Sequence, residues 1–136
     1  MARLVLDSSI ALSWCLPDEN ATDQIQHQVA TSGAIAPAHW PLEIANALLM
    51  AERRQRIDAG FRNAALRDLA SLPIALDAET SARAWDETLS LAETYRLTAY
   101  DAAYLELAQR LALPLATLDA ELRVAAQALG IKAPLP

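Results

Sequence analysis

The chain has 136 residues, enough for one domain over residues 1–136 with a sizeable buried core. Hydrophobic residues make up 54% and charged residues 21%, which argues against disorder, and the one cysteine, Cys15, leaves no disulfide framework and no thiolate zinc site. The formal net charge of −6, from 17 acids and 11 bases, argues against a chain held to nucleic acid by cationic surface alone.

Leu4, Val5 and Leu6 run without alternation into Asp7, the pattern of a strand buried on both faces of a parallel sheet and ending in a carboxylate. Asp7 interrupts the apolar run too early for a signal peptide, and no apolar stretch reaches membrane-spanning length. A reducing, cytoplasmic setting is expected. Ile10 to Leu16 predicts a short helix stopped by Pro17. Asp18 to Thr31 predicts a polar helix with Ile25 and Val29 inward, broken by Gly33. Ala34–Ala36 is a second strand. Pro41 then opens a helix with Leu42, Ala45, Leu48 and Leu49 inward and Glu43, Asn46, Met50 and Arg53 on another face.

Asp58 to Ala70 predicts a further helix, with Phe61, Ala65 and Leu69 inward. Leu72 to Leu76 is a third strand, placed at an edge by Pro73. Asp77 starts a long helix with the stripe Ala82, Trp85, Leu89 and Ala92. Thr98 and Asp101 have capping-box spacing at the start of a helix that buries Leu105, Ala108 and Leu111. Leu115 to Leu118 is a fourth strand, Asp119 caps a helix carrying Leu122, Ala126 and Leu129, and Ile131 opens a marginal fifth strand. Short buried strands alternating with longer helices predict βαβ units around a mostly parallel sheet.

Three glycines, at 33, 60 and 130, cannot build a phosphate-cradling loop. Two histidines, His27 and His39, rule out a multi-histidine zinc site, and no serine lies in a nucleophile elbow. Carboxylates at particular places remain. Asp7 follows strand one, Asp119 follows strand four, and Glu43 and Asp101 lie in the first turns of helices. Helices that follow parallel strands start at one sheet edge, so Asp7, Glu43 and Asp119 should share an end of the domain, and Asp101 joins them if its helix also starts there. Each also has a plain structural role, since Asp at a strand end caps helices and Glu suits a helix N-terminus. Asp77 has the same pattern, and spacing alone does not separate it. If the four converge, their repulsion calls for a cation, and hard oxygen donors suit Mg²⁺ or Mn²⁺, one ion or two. Two divalent ions would raise the charge by four, to −2. A cation-activated water needs no catalytic His, Cys or Lys.

Four stretches carry a family resemblance: Leu6-Asp7-Ser8-Ser9, Glu43-Ile44-Ala45-Asn46, Tyr100-Asp101-Ala102-Ala103-Tyr104-Leu105-Glu106-Leu107-Ala108, and Thr117-Leu118-Asp119. In order and spacing they resemble the motifs of PIN-domain ribonucleases, and the VapC-like toxins of bacterial toxin–antitoxin pairs most of all. The resemblance implies a three-layer α/β/α PIN-like domain with a central, mostly parallel sheet of four to five short strands, strands one and four adjacent and strand three at an edge, which puts Asp77 off-site. It implies a metal-dependent endoribonuclease in which Asp7, Glu43, Asp101 and Asp119 are catalytic metal ligands and Ser9, Asn46 and Thr117 orient ligands or water. It further implies an RNA substrate, a cognate antitoxin, and a homodimer or larger toxin–antitoxin assembly, with no membrane. Arg53, Arg54 and Arg56 either border the RNA path or serve a helix C-terminus, and the second reading is favoured. Two alternatives stand beside this one. The first is a receiver-like signalling module, hinted at by Lys132-Ala133-Pro134 and testable as phosphorylation of Asp77. The second is a catalytically silent PIN fold.

Overall fold

A computed structural model describes residues 3–16 and 23–134. Four strands, β1 (Leu4–Leu6), β2 (Ala34–Ala36), β3 (Ile74–Leu76) and β4 (Leu115–Ala116), form one sheet in the order β3-β2-β1-β4. Every pairing is parallel, with Val5 opposite both Ile35 and Leu115. The helices are α1 (Ser8–Cys15), α2 (Asp23–Ser32), α3 (Trp40–Arg53), α4 (Ala59–Ala70), α5 (Thr80–Arg83), α6 (Leu89–Tyr95), α7 (Ala99–Leu111) and α8 (Ala120–Ala128). They cover both faces of the sheet, giving the three-layer α/β/α architecture.

The central strands read as buried runs because they are buried. Leu4, Val5, Leu6, Ala36, Leu115 and Ala116 are fully enclosed, while β3 is only half-covered, as its edge position dictates. Pro73 falls just before β3, so its missing N–H costs the ladder nothing, and its carbonyl accepts from the Ala34 N–H at 3.0 Å. The turn from α2 into β2 needs Gly33, whose φ is +82° and whose added Cβ would stand 3.3 Å from that same carbonyl. Ladder bonds continue past the strand ends, from the Asp7 N–H to the Ala116 carbonyl and from the Asp77 N–H to the Ala36 carbonyl. The C-terminal edge of the sheet therefore holds both acids rigidly.

The structure corrects several predicted elements. No fifth strand forms over 131–134. A single bond from the Leu115 N–H to the Lys132 carbonyl, 2.8 Å, is all that joins this segment to β4. β4 itself stops at Ala116, freeing Thr117 and Leu118 from the ladder. The buried face of α3 is Trp40, Ile44, Leu48 and Ala51; Leu42 and Ala45 point outward, Leu42 with 74% exposure. Counting the helix from Pro41 leaves out Trp40, which with Ile44, Leu48 and Ala51 makes the larger apolar stripe at i, i+4, i+8 and i+11, and that stripe is the one buried. Phe61 and Leu111 are likewise exposed on otherwise correct faces. The long helix after Asp77 is interrupted by a π-helical turn, Ala84–Thr88, between α5 and α6. Its extra residue per turn rotates the stripe, so Thr88 and Ala92 are buried while Trp85 is 89% exposed. The predicted helix start at Asp18 and the stop at Pro17 lie outside the described residues.

Asp77 is bound into a structural ion network. Arg110 of α7 meets the Asp77 carboxylate at 2.6 Å, Glu106 at 2.9 Å and Glu79 at 3.3 Å. Burial alone would raise the Asp77 carboxyl, but hydrogen bonds from Arg110, the Glu79 N–H and Thr80 outweigh it and hold the carboxyl below the ordinary carboxylate range. Removing one partner of such a buried network strands the others. Arg110→Met should therefore cost about 3 kcal/mol and lower the thermal midpoint by roughly 10 °C. Circular dichroism melts of the two proteins measure this, and an unchanged midpoint would show that the network makes no net contribution.

Candidate active site

Asp7 is 5% exposed at the tip of β1. Its Oδ2 accepts two hydroxyl hydrogen bonds, from Ser9 Oγ and Thr117 Oγ1, both at 2.7 Å. Each hydroxyl also accepts from the backbone beyond β4, Ser9 Oγ from the Leu118 N–H and Thr117 Oγ1 from the Asp119 N–H, both at 3.0 Å. Ser9 and Thr117 thus stitch the ends of β1 and β4 together through the Asp7 carboxylate. Early termination of β4 is what turns Thr117 toward Asp7.

Asp119 caps α8, its Oδ1 accepting from the N–H groups of Glu121 at 2.9 Å and Leu122 at 3.2 Å. Thr98 caps α7 by accepting from the Asp101 N–H at 3.1 Å. Glu43, in the first turn of α3, accepts a hydrogen bond on Oε1 from the Tyr104 hydroxyl, and His39 Nε2 lies 3.7 Å from the same oxygen. The structural roles foreseen for Asp119 and for the Thr98–Asp101 pair are therefore real, yet they do not exhaust these residues.

The electrostatics tie the four acids together. Burial pushes the Asp7 carboxyl up; the Ser9 and Thr117 hydroxyls oppose this, and the Asp119 charge adds to it. Burial also raises Glu43, with Asp7 and Asp101 adding repulsion against the Tyr104 hydrogen bond and His39. Asp101 is raised by burial and then by Asp7 and Asp119, against Thr98 and His39. Asp7 and Asp101 each interact with the other three acids and together form the centre of the cluster. Tyr104 is driven up as well, by burial and by the Asp7 and Glu43 charges, so its hydroxyl keeps its proton.

Donor type fits a hard divalent cation, since four carboxylates in mutual repulsion offer oxygen ligands and an uncompensated negative field. Position fits less closely. Among the described residues no three His, Cys, Asp or Glu side chains are already set around one point where an ion would sit. Tyr104 draws Glu43 to itself and the α8 terminus draws Asp119, so an ion would gather these side chains by small rotations.

Of the polar neighbours expected from sequence, Ser9 and Thr117 touch Asp7. Asn46 lies exposed one turn beyond Glu43 and is hydrogen-bonded to none of the four acids among the described residues. Arg53, Arg54 and Arg56 are exposed at the far end of α3, about 15 Å along the helix from Glu43, where they suit its C-terminus. Sequence reasoning left Tyr104 without a role. A tyrosine inside an Ala- and Leu-rich buried turn was the available signal, because its hydroxyl must find a partner there.

A family model described as PIN domain matches residues 4–128. The chain belongs to the PIN domain family. It is 31% identical over 122 residues to Ribonuclease VapC3 of Mycobacterium tuberculosis, across 88% of this chain and 85% of that protein. Three solved structures share the fold. PAE2754 from Pyrobaculum aerophilum aligns with a TM-score of 0.69 at 24% identity, over 91% of this chain and 79% of its own. FitAcB from Neisseria gonorrhoeae aligns with a TM-score of 0.66 at 17% identity, over 100% and 98%. VapC20 of Mycobacterium tuberculosis, a toxin that cleaves the sarcin–ricin loop, aligns with a TM-score of 0.64 at 14% identity, over the whole of both chains. The receiver-like alternative falls with this assignment, and the Asp77 carboxylate it needed is occupied by Arg110.

In this PIN domain without metal, the site costs stability at neutral pH. Asp7, Glu43 and Asp101 titrate above their ordinary values of 3.8, 4.5 and 3.8. Between the unfolded and folded values the folded chain holds more protons, so stability is greatest below the unfolded values and falls as pH rises through the folded ones. Asp77, shifted the other way, contributes stability that is lost as pH falls. Asp7→Asn, melted in chelator, should therefore exceed the wild type in thermal midpoint near neutral pH, with the gap closing toward about pH 4. A lower midpoint for the variant at neutral pH contradicts the repulsion.

Proposed function

We propose that this PIN domain is a metal-dependent endoribonuclease of the VapC type, the toxin of a toxin–antitoxin pair, working in the cytoplasm. The observation that carries the proposal is the mutual repulsion of Asp7, Glu43, Asp101 and Asp119 at one sheet edge, with Asp7 and Asp101 each linked to the other three. The likeness to a ribonuclease over most of both chains supports the same reading.

Under this reading Asp7, Glu43, Asp101 and Asp119 hold Mg²⁺ or Mn²⁺. A cation held there would supply an activated water for attack on a phosphodiester and would neutralise charge on the leaving oxygen. Ser9 and Thr117 fix the Asp7 carboxylate by its Oδ2, so its orientation is set before any ligand arrives. Asp119 presents its carboxylate from a helix N-terminus, where the dipole favours negative charge. The cluster also repels RNA phosphates while no cation is bound, so cation loading and substrate binding are coupled. With a net charge of −6 the chain gains its affinity for RNA largely through the loaded site.

The same reading gives the protein a cognate antitoxin that masks the acids and a second copy of itself as partner. A catalytically silent PIN fold would not need four mutually repelling acids, which cost stability for no return.

Asp7→Asn and Asp101→Asn should each reduce Mg²⁺-dependent cleavage of single-stranded RNA by at least about 1000-fold while the circular dichroism spectrum stays that of the wild type. Chelation of the wild type should do the same. Undiminished cleavage by both variants would remove these acids from the reaction.

A further inference from the structure

We propose that Tyr104 is the positioning residue of Glu43, confining that carboxylate to the neighbourhood of the other three acids, from which a short rotation brings it to a divalent cation. The inference rests on the cation reading above and adds a residue to it.

Tyr104 is fully buried in the middle of α7, within a stretch where every residue from Ala102 to Ala108 is buried. Packing alone would be met by phenylalanine, because a buried hydroxyl without a partner costs stability. The hydroxyl has a partner, and it is the carboxylate of Glu43, 61 residues away in sequence, not a backbone group of its own helix. Ser8 of α1 also hydrogen-bonds this hydroxyl, so the tyrosine joins α1, α3 and α7 at the site. His39 closes the other side. Its Nε2 lies 3.1 Å from the Tyr100 carbonyl and 3.7 Å from Glu43 Oε1, and its ring packs edge-on against both Tyr100 and Tyr104, at centroid distances of 5.7 Å.

Glu43 needs this support more than the other acids do. Asp7 is gripped by two hydroxyls and Asp119 by two N–H groups, and both have short side chains. Glu43 has one more rotatable bond than an aspartate and makes no helix-capping bond of its own. Without Tyr104 its carboxylate would sample several rotamers, and an ion would have to order it on binding. With Tyr104 much of that ordering precedes the ion, which then has only to turn a carboxylate already held beside the cluster, and outer partners raise the affinity of metal ligands in this way.

The test is Tyr104→Phe in the full chain, with the ring volume kept. Mn²⁺ binding is measured by isothermal titration for the wild type, Tyr104→Phe, Glu43→Gln and the double variant, alongside melts in chelator. The expected result is an Mn²⁺ dissociation constant about 10-fold weaker in Tyr104→Phe and no further weakening when the change is added to Glu43→Gln. A lower melting midpoint with unchanged Mn²⁺ affinity would make Tyr104 a packing residue only and overturn the inference, while leaving the cation reading intact. Equal weakening in both backgrounds would also overturn it, since the effect would not pass through Glu43. Absence of Mn²⁺ binding in the wild type itself would overturn the cation reading, and this inference with it.

Discussion

The structure turns on a buried carboxylate that, among the described residues, has hydroxyl partners and no cationic one. Asp7 ends a fully buried strand, and Ser9 and Thr117 both donate to its Oδ2. Hydroxyls orient a carboxylate but do not cancel its charge, so the desolvation cost stands and the carboxyl is pushed upward. The two hydroxyls also tie β1 to the chain beyond β4. The sheet edge and the site are therefore one arrangement, and neither can change without the other.

Asp77 shows that this is not the only way to end a strand here. It too follows a parallel strand at the same edge and is nearly buried, at 7%. Its charge is met by Arg110, which also bridges Glu106, and its carboxyl is held low. One strand-end acid is neutralised by the fold, and the other is left negative beside three more acids. A protein selected for stability alone would treat both alike. The difference leaves Asp7 the uncompensated acid of the two, and under the proposed cation reading a bound ion would carry the missing positive charge.

Much of this was legible in the sequence, for identifiable reasons. An unbroken apolar run ending in Asp7 gave β1, the stretch between Pro114 and Asp119 gave β4 though two residues too long, Pro73 gave the edge strand, and Thr98 with Asp101 gave the start of α7. Asp7, Glu43 and Asp119 were found because strand ends and helix starts in a parallel sheet share an edge, and Asp101 joined them through the family resemblance, since α7 follows a helix and not a strand. The sheet order came from family resemblance, since three-residue strands of Ala, Ile, Leu and Val carry no pairing code. Helix faces failed in two places. On α3 the stripe through Trp40, Ile44, Leu48 and Ala51 went in and Leu42 went out, and the π-helical turn placed Trp85 in solvent. Asp77 could not be told from Asp7 by sequence because the decisive partner, Arg110, lies 33 residues further along the chain. Tyr104 was hidden for the same reason, since its hydroxyl meets Glu43 only in three dimensions.

Anomalous diffraction from crystals of the full chain grown with Mn²⁺ asks directly where the missing charge sits. The account predicts an Mn²⁺ peak about 2.1 Å from a carboxylate oxygen of Asp7, with at least two of Glu43, Asp101 and Asp119 turned toward it. A well-ordered Asp7 cluster without a peak, or a peak only at other carboxylates such as those around Arg110, would contradict it.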